Sequence, residues 1–341
     1  MNGRSIIRSK APLRLSFAGG GTDVSPYADE QGGCVLNATI DKYAFGSLME
    51  TGDGSLTIDS LDYHVVQRYE VDRQLVYDGE LDLVKAVVNS FDPAASKGCE
   101  LFIHCDAPPG SGLGSSSALV VAQIGLFKER LGIPITDYEI AEMAYRIERV
   151  EAGIPGGRQD HYAATVGGFS FIEFQHGQVI VNTLRIKPEV VNELEYNLLL
   201  CYVGGTRPAG IIEAQMDGYK ARRQDSLDAM DVLKNIAVEM KKHLLRGELN
   251  EFGRLLHHGW EAKKKMAQSI SNPRIDEMYE AAIKAGALGG KLTGAGGGGY
   301  AIFYCEFKKK HLVAGALARL GVRPVSFSFV DRGLQTWRVE G

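Results

Sequence analysis

The segment Pro109-Gly-Ser-Gly-Leu-Gly-Ser-Ser-Ser117 lies between a strand-like run, 99–105, and an apolar helical run, 118–131. Gly110, Gly112 and Gly114 let backbone N–H groups converge on an anion with no Cβ in the way. Ser115, Ser116 and Ser117 then open the helix, where unpaired N–H groups and the positive dipole end favour phosphate. A serine hydroxyl placed there can also reach a phosphate-bound Mg2+. The Gly-Lys-Ser/Thr ending of a Walker A loop is absent, and the plain alternative is a glycine turn with a serine-rich helix start. A second segment, 147–161, carries Glu148, Glu151 and Asp160. Phosphoryl transfer needs one carboxylate on the metal and often another beside the acceptor hydroxyl, whereas solvated acids are the ordinary reading, preferred for Glu151. His161 reads as a packing histidine, because no second His or Cys stands at metal spacing. A third segment, Gly294-Ala-Gly-Gly-Gly-Gly299, satisfies G-x-G-x-x-G but runs into a strand instead of opening a helix, so it fails the dinucleotide context.

These loops need elements to hold them. Leu13, Leu15 and Phe17 alternate with Arg14 and Ser16, a period-two strand that turns Arg14 away from the apolar side and ends at Gly19-Gly-Gly21. Strand-like runs follow at 34–50, 55–60 and 63–71, then a helix over 80–91. Thr136 and Glu139 have capping-box spacing, which predicts a helix from 137 to about 151. Residues 169–174 and 178–184 form a hairpin around His176-Gly177. From about 186 the texture changes: a strand over 196–203, helix through 211–266 with a break near Gly247, and a helix starting at Asn272-Pro273. A strand at 300–305, a helix at 308–320 and strands at 324–330 and 334–339 complete the chain. Without strict β-α-β alternation the pattern is α+β, divided into 1–185 and 186–341.

The chain has 341 residues, 41 of them glycine, where average usage of about 7 % gives roughly 24. With 45 % hydrophobic content it is a folded protein of about two domains. The net charge of −4 leaves no footprint for nucleic acid. No apolar run approaches 18 residues, which argues against a membrane partner. The start of the chain lacks the apolar core of a signal peptide, and five scattered cysteines read as reduced thiols, so the expected location is cytoplasmic. The lysines at 241–242, 263–265 and 308–310 read as solvated helix faces.

Three motifs in this order, APLRLSFAGGGTD at 11–23, PPGSGLGSSSA at 108–118 and KLTGAGGGGYAIF at 291–303, resemble the GHMP kinase superfamily. The AGGGTD form of the first motif, with GGRQDHYAATVGGF, is similar to the branch that phosphorylates the anomeric hydroxyl of D-glycero-D-manno-heptose 7-phosphate in GDP-heptose biosynthesis. The resemblance implies a ribosomal-protein-like N-terminal domain, a ferredoxin-like C-terminal domain and a catalytic cleft between them. It implies ATP and Mg2+ as cofactors and a sugar phosphate as substrate. Asp160 aligns with the catalytic aspartate, and Arg14 with the basic residue that stabilises the attacking oxygen or the transferred phosphoryl group. Ser116 aligns with the magnesium-contacting serine and Glu148 with the magnesium glutamate, the latter one residue farther from Asp160 than in mevalonate kinase, with Glu151 as its alternative. Pro109, Gly110, Ser111, Gly112, Leu113, Gly114, Ser115, Ser116 and Ser117 correspond to the ATP loop. Gly20, Gly21, Thr22, Asp23, Gly296 and Gly297 fall at acceptor positions.

Galactokinases carry GEHTDY in the first motif, and this chain does not, which disfavours galactose. A kinase for another aldose, of fucose, galactose or mannose type, is the alternative, ahead of a decarboxylase or a non-enzymatic sugar sensor of the same fold. Arg207, at the end of the 196–203 strand, is a candidate phosphate contact because guanidinium binds phosphate in a bidentate manner, with Arg158 the second candidate and a solvated arginine the plain alternative. The sequence leaves the oligomeric state open, a homodimer included.

Overall fold

The alternating run around Arg14 is part of a long strand at the heart of the protein. The computed structural model describes residues 5–71, 73–175, 177–205 and 210–340. In chain order the elements are β1 (Ser5–Ala18), α1 (Tyr27–Glu30), β2 (Gly33–Glu50), β3 (Ser55–Ser60), β4 (Val65–Glu70), α2 (Asp82–Asn89), β5 (Cys99–Cys105), α3 (Ser115–Leu131), α4 (Asp137–Tyr145), α5 (Gln159–Val166), β6 (Phe169–Gln175) and β7 (Gln178–Thr183). There follow α6 (Pro188–Asn197), β8 (Leu198–Gly204), α7 (Ile211–Lys220), α8 (Gln224–Arg246), α9 (Leu249–Lys264), α10 (Pro273–Ala285), β9 (Ala287–Leu292), β10 (Gly299–Cys305), α11 (Lys310–Arg319), β11 (Arg323–Val325) and β12 (Gln335–Glu340).

One sheet runs β12-β1-β2-β5-β3-β4, with β6 also on β2 and β7 on β6; the other runs β11-β8-β10-β9. Among the described residues only β3 and β5 pair in parallel, so the class is α+β. From Ala11 to Ala18 every residue of β1 is buried, because β2 flanks it and α3 and α5 pack on it. From Ser117 to Phe127 helix α3 is buried on all sides, as an apolar helix with no polar stripe must be. The second core centres on Trp260 and Phe303, between α9, α10 and the smaller sheet.

Several local expectations hold. The Thr136–Glu139 capping box is formed, and Asn272 caps α10 by accepting from the Ile275 N–H. The hairpin pairs Gln175 with Gln178, while His176 lies outside the described residues. Others need correction. Regular α-helix ends at Tyr145, and Arg146–Glu151 winds as a π-turn. The helical stretch after 211 breaks first near 221–223. Of the strand expected at 324–330, only β11 and an isolated Phe329–Ile40 bridge form. A cut at 185 does not separate the two sheets, because β12 returns to the edge of β1. The unexpected β9 contains Gly289 and Gly290, which carry no strand signal.

The second and third glycine loops pack backbone to backbone. The Tyr300 N–H donates to the Ser111 carbonyl at 3.0 Å. A Cβ on Gly294 would come within 2.7 Å of the Gly112 Cα, and one on Gly299, at φ +89°, within 2.1 Å of the Ser111 carbonyl oxygen. Much of the glycine therefore clears space for backbone, not only for ligand. Gly299→Ala is expected to cost about 2 kcal/mol or more in urea unfolding and to lower turnover, since neither loop can retreat without breaking the Tyr300–Ser111 bond.

Candidate active site

The three glycine loops line one cleft of about 230 Å³, with Gly20 and Gly21, Gly110, Gly112 and Gly114, and Gly294, Gly296 and Gly298 in its walls. Arg14 stands at their junction. Its backbone N–H donates to the Leu113 carbonyl at 3.0 Å. Its Nη1 donates to Gly112 O at 2.6 Å and Thr293 O at 3.4 Å, so one guanidinium ties β1 to both later loops. Nε and Nη2 both meet Asp160 Oδ1 at 2.7 Å. Asp160 Oδ2 has no hydrogen-bond donor among the described residues, and Asp160 lines the cleft. The pair thus combines a fixed positive charge with a carboxylate oxygen left open to a ligand hydroxyl.

Glu148 is fully buried behind the loop. The π-turn directs it inward while Glu151 faces outward to Arg146 and Ser90. Ser116 donates to Glu148 Oε1 at 2.7 Å, Ser117 to Oε2 at 2.6 Å, and His161 Nε2 lies 2.7 Å from Oε2. Arg149 is 3.0 Å away. Burial alone would raise the carboxyl's pKa, but Arg149, His161 and Ser117 more than offset it and hold Glu148 ionised, below the usual range. A hydroxyl and an ionised carboxylate form a hard oxygen set suited to Mg2+ shared with substrate phosphates. Of the two glutamates, Glu148 is the one that meets Ser116, with both of its oxygens engaged by neighbouring side chains.

The other end of the cleft is built on Asp23. Its Oδ1 accepts from the Gly21 N–H at 3.0 Å and its Oδ2 from Gln159 Nε2 at 3.1 Å. Lys263 and Lys291 enter here, and neither stands out in the sequence. Lys263 donates to the Gly20 carbonyl at 2.7 Å and Lys291 to the Ser16 carbonyl at 2.6 Å. The expectation that 263–265 is a solvated face fails at Lys263, which is only 4 % exposed. A signal was present: Lys263 continues the buried Leu256, Trp260 stripe of α9 at helical spacing. Burial lowers the Lys263 pKa to about 8, with Asp23 opposing and Arg14 reinforcing the shift. Lys291 is likewise lowered, by burial and by the positive charges of Lys263 and Arg14.

Not every expected residue faces the cleft. Thr22 is fully buried, and its hydroxyl holds the Gly19 and Cys34 carbonyls, so it pins the first loop to β2. The Gly297 N–H is tied to Ile270 O, outside the lining. Leu113 and Ser111 act through their carbonyls, and Pro109 lines a neighbouring cavity. Arg158 is spent on Asp29 and the Tyr145 ring. Arg207 lies outside the described residues.

The profile for the GHMP kinases N terminal domain matches residues 82–168, and that for the GHMP kinases C terminal region matches 240–322. A D-glycero-alpha-D-manno-heptose 7-phosphate kinase of Campylobacter jejuni is 41 % identical over 337 residues, covering 98 % of this chain and 99 % of that one. A solved structure described as a D-glycero-D-manno-heptose 1-phosphate kinase from Bacteroides thetaiotaomicron superposes with TM-score 0.84 at 39 % identity, over 98 % of this chain and all of that one. Lactococcus lactis galactokinase, solved with galactose, shares the fold at TM-score 0.76 and 20 % identity, covering 97 % and 95 % of the two chains. The chain belongs to the GHMP kinases. It is an ATP-dependent kinase of that family.

The depressed Lys263 pKa has a consequence for stability. Below about pH 8 the folded protein carries this ammonium at a desolvation cost, whereas the unfolded chain keeps its proton up to about pH 10.5. The unfolded state therefore binds more protons between these values, and the lysine's penalty fades as pH rises. The stability of the parent protein relative to Lys263→Met, followed by urea unfolding from pH 7.5 to 10.5, is expected to rise by up to about 3 kcal/mol. A flat difference would mean that the ammonium is not desolvated.

Proposed function

We propose that the protein transfers the γ-phosphoryl group of ATP to the anomeric hydroxyl of a sugar phosphate, D-glycero-D-manno-heptose 7-phosphate, giving the 1,7-bisphosphate and ADP. The observation that carries this reading is the Arg14–Asp160 pair held between a phosphate-type loop and a polar acceptor pocket. The 41 % identity to the Campylobacter jejuni enzyme over nearly both full chains supports the choice of sugar.

In this reading the loop from Gly110 to Ser117 and the first turn of α3 cradle the triphosphate. Ser116 and Glu148 would hold the Mg2+, which would neutralise phosphate oxygens. Beyond Ser115, Ser116 and Ile154 the cleft meets a second cavity of about 510 Å³, lined among others by Tyr63, Val65, Leu81, Leu83 and Leu119. Its apolar walls suit a purine, and we place the nucleoside there. The acceptor hydroxyl lies against Asp160 Oδ2, which orients it and takes its proton as the new O–P bond forms and the bond to the ADP oxygen breaks. Held in place by Arg14, Asp160 has mainly to orient the hydroxyl, because phosphoryl transfer depends chiefly on positioning and charge neutralisation. Arg14 keeps a second Nη2 N–H for the moving phosphoryl oxygens. The five cysteines are free, which fits a cytoplasmic setting where ATP is supplied.

The test is ATP consumption with heptose 7-phosphate, mannose, fucose, galactose and mevalonate, with NMR location of the new phosphate. Heptose 7-phosphate is expected to be consumed fastest and to gain phosphate at the anomeric oxygen; faster turnover of another acceptor would overturn the reading. Asp160→Asn is expected to lower kcat by at least about 1000-fold while nucleotide affinity stays within a few-fold.

A further inference from the structure

Lys263 and Lys291 have no part in the transfer described above, yet both are buried in the cleft, as deeply as Arg14. Both line it, at 4 % and 6 % exposure. Among the described residues each makes one hydrogen bond, to a backbone carbonyl, and neither has an ion-pair partner. An ammonium has three donors, so donors remain on each. Asp23, the nearest opposite charge to Lys263, already has both oxygens engaged by Gly21 and Gln159. Two further polar atoms of the same wall, Ser16 Oγ and Gln159 Oε1, are buried without any partner. Buried polar groups are satisfied almost everywhere in proteins, so open ammonium donors, an open hydroxyl, an open amide acceptor and uncompensated positive charge on one wall point to a negatively charged ligand rich in oxygen and hydroxyl groups.

Position separates that ligand from the nucleotide. Gly110, Gly112, Gly114 and the start of α3 supply the triphosphate cradle. Lys263 instead lies against the first loop: its Nζ would stand 3.4 Å from a Cβ on Gly21 and 4.0 Å from one on Gly20. Lys291 hangs from the carbonyl of Ser16, on the strand that leads into that loop. Arg14, a third cation near both lysines, is paired with Asp160 and adds repulsion to them.

We propose that Lys263 and Lys291 read the negative charge of the acceptor and make the cleft prefer a phosphorylated sugar to its neutral counterpart. The proposal rests on the acceptor reading above and adds the residues that enforce it. A phosphate monoester placed here supplies acceptors to both ammonium groups and removes the penalty of burying them unpaired.

The experiment uses the full-length protein and the variants Lys263→Met and Lys291→Met, with glutamine replacing methionine in any variant whose thermal melt shows that it does not fold. Calorimetry measures binding of heptose 7-phosphate and of unphosphorylated heptose to the nucleotide-free proteins, and steady-state kinetics follows with ATP and Mg2+. The parent protein is expected to bind the phosphorylated sugar at least about 100-fold more tightly than the neutral one. Each variant is expected to lose about 10-fold or more on the phosphorylated sugar alone, through KM, with the neutral sugar and ATP changed less than about 3-fold. Equal losses on both sugars would show that the lysines only brace the loop and would overturn the proposal. So would a parent protein that binds the two sugars alike. Turnover decides the acceptor reading separately: tight, lysine-dependent binding without anomeric phosphorylation would sink that reading and leave the charge-reading site standing.

Discussion

The structure depends on the placement of one guanidinium. Arg14 leaves the buried second half of β1, meets Asp160 with two nitrogens, and caps the carbonyls of Gly112 and Thr293 with the third. A cation in that position is tolerable only because a carboxylate and two carbonyls surround it. The same contacts set the spacing of loops distant in sequence, so the pair organises the site as well as charging it. With Oδ1 doubly engaged, Asp160 offers its other oxygen to a ligand.

A second layer holds that junction in shape. Glu148, ionised and fully buried, gathers Ser116, Ser117, His161 and Arg149 around itself. It fastens the first turn of α3 to the π-turn and to α5, the helix that carries Asp160. The expanded winding at Arg146–Glu151 gives up regular helix to turn this carboxylate inward. The polar network and the glycine loops are complementary: the loops need backbone freedom to approach one another and a ligand, and the network removes that freedom where catalysis requires fixed geometry.

Much of this was legible locally. The glycine and serine spacing at 110–117, the alternation that turns Arg14 away from Leu13 and Leu15, and the carboxylates at 148 and 160 are short-range signals, and the structure brings all of them together. What stayed hidden depends on distant contacts. Lys263 sits in a run of three lysines and becomes a cleft residue only because α9 packs against the loop at Gly20. Strand β9 is disguised by its two glycines, and β12 pairs with a strand more than 300 residues earlier in the chain. Thr22 matches an acceptor motif, yet its hydroxyl is consumed by loop carbonyls, a role that spacing cannot distinguish from ligand contact.

The central claim is that Arg14 and Asp160 act as one unit at the point of transfer. A double-mutant cycle on kcat with Arg14→Met and Asp160→Asn, each variant saturated with ATP and acceptor, measures this directly. Each single change is predicted to lower kcat by about 1000-fold or more, and the double variant to fall no more than about 10-fold below the worse single one. Losses that multiply across the two positions would show independent action and would contradict the account.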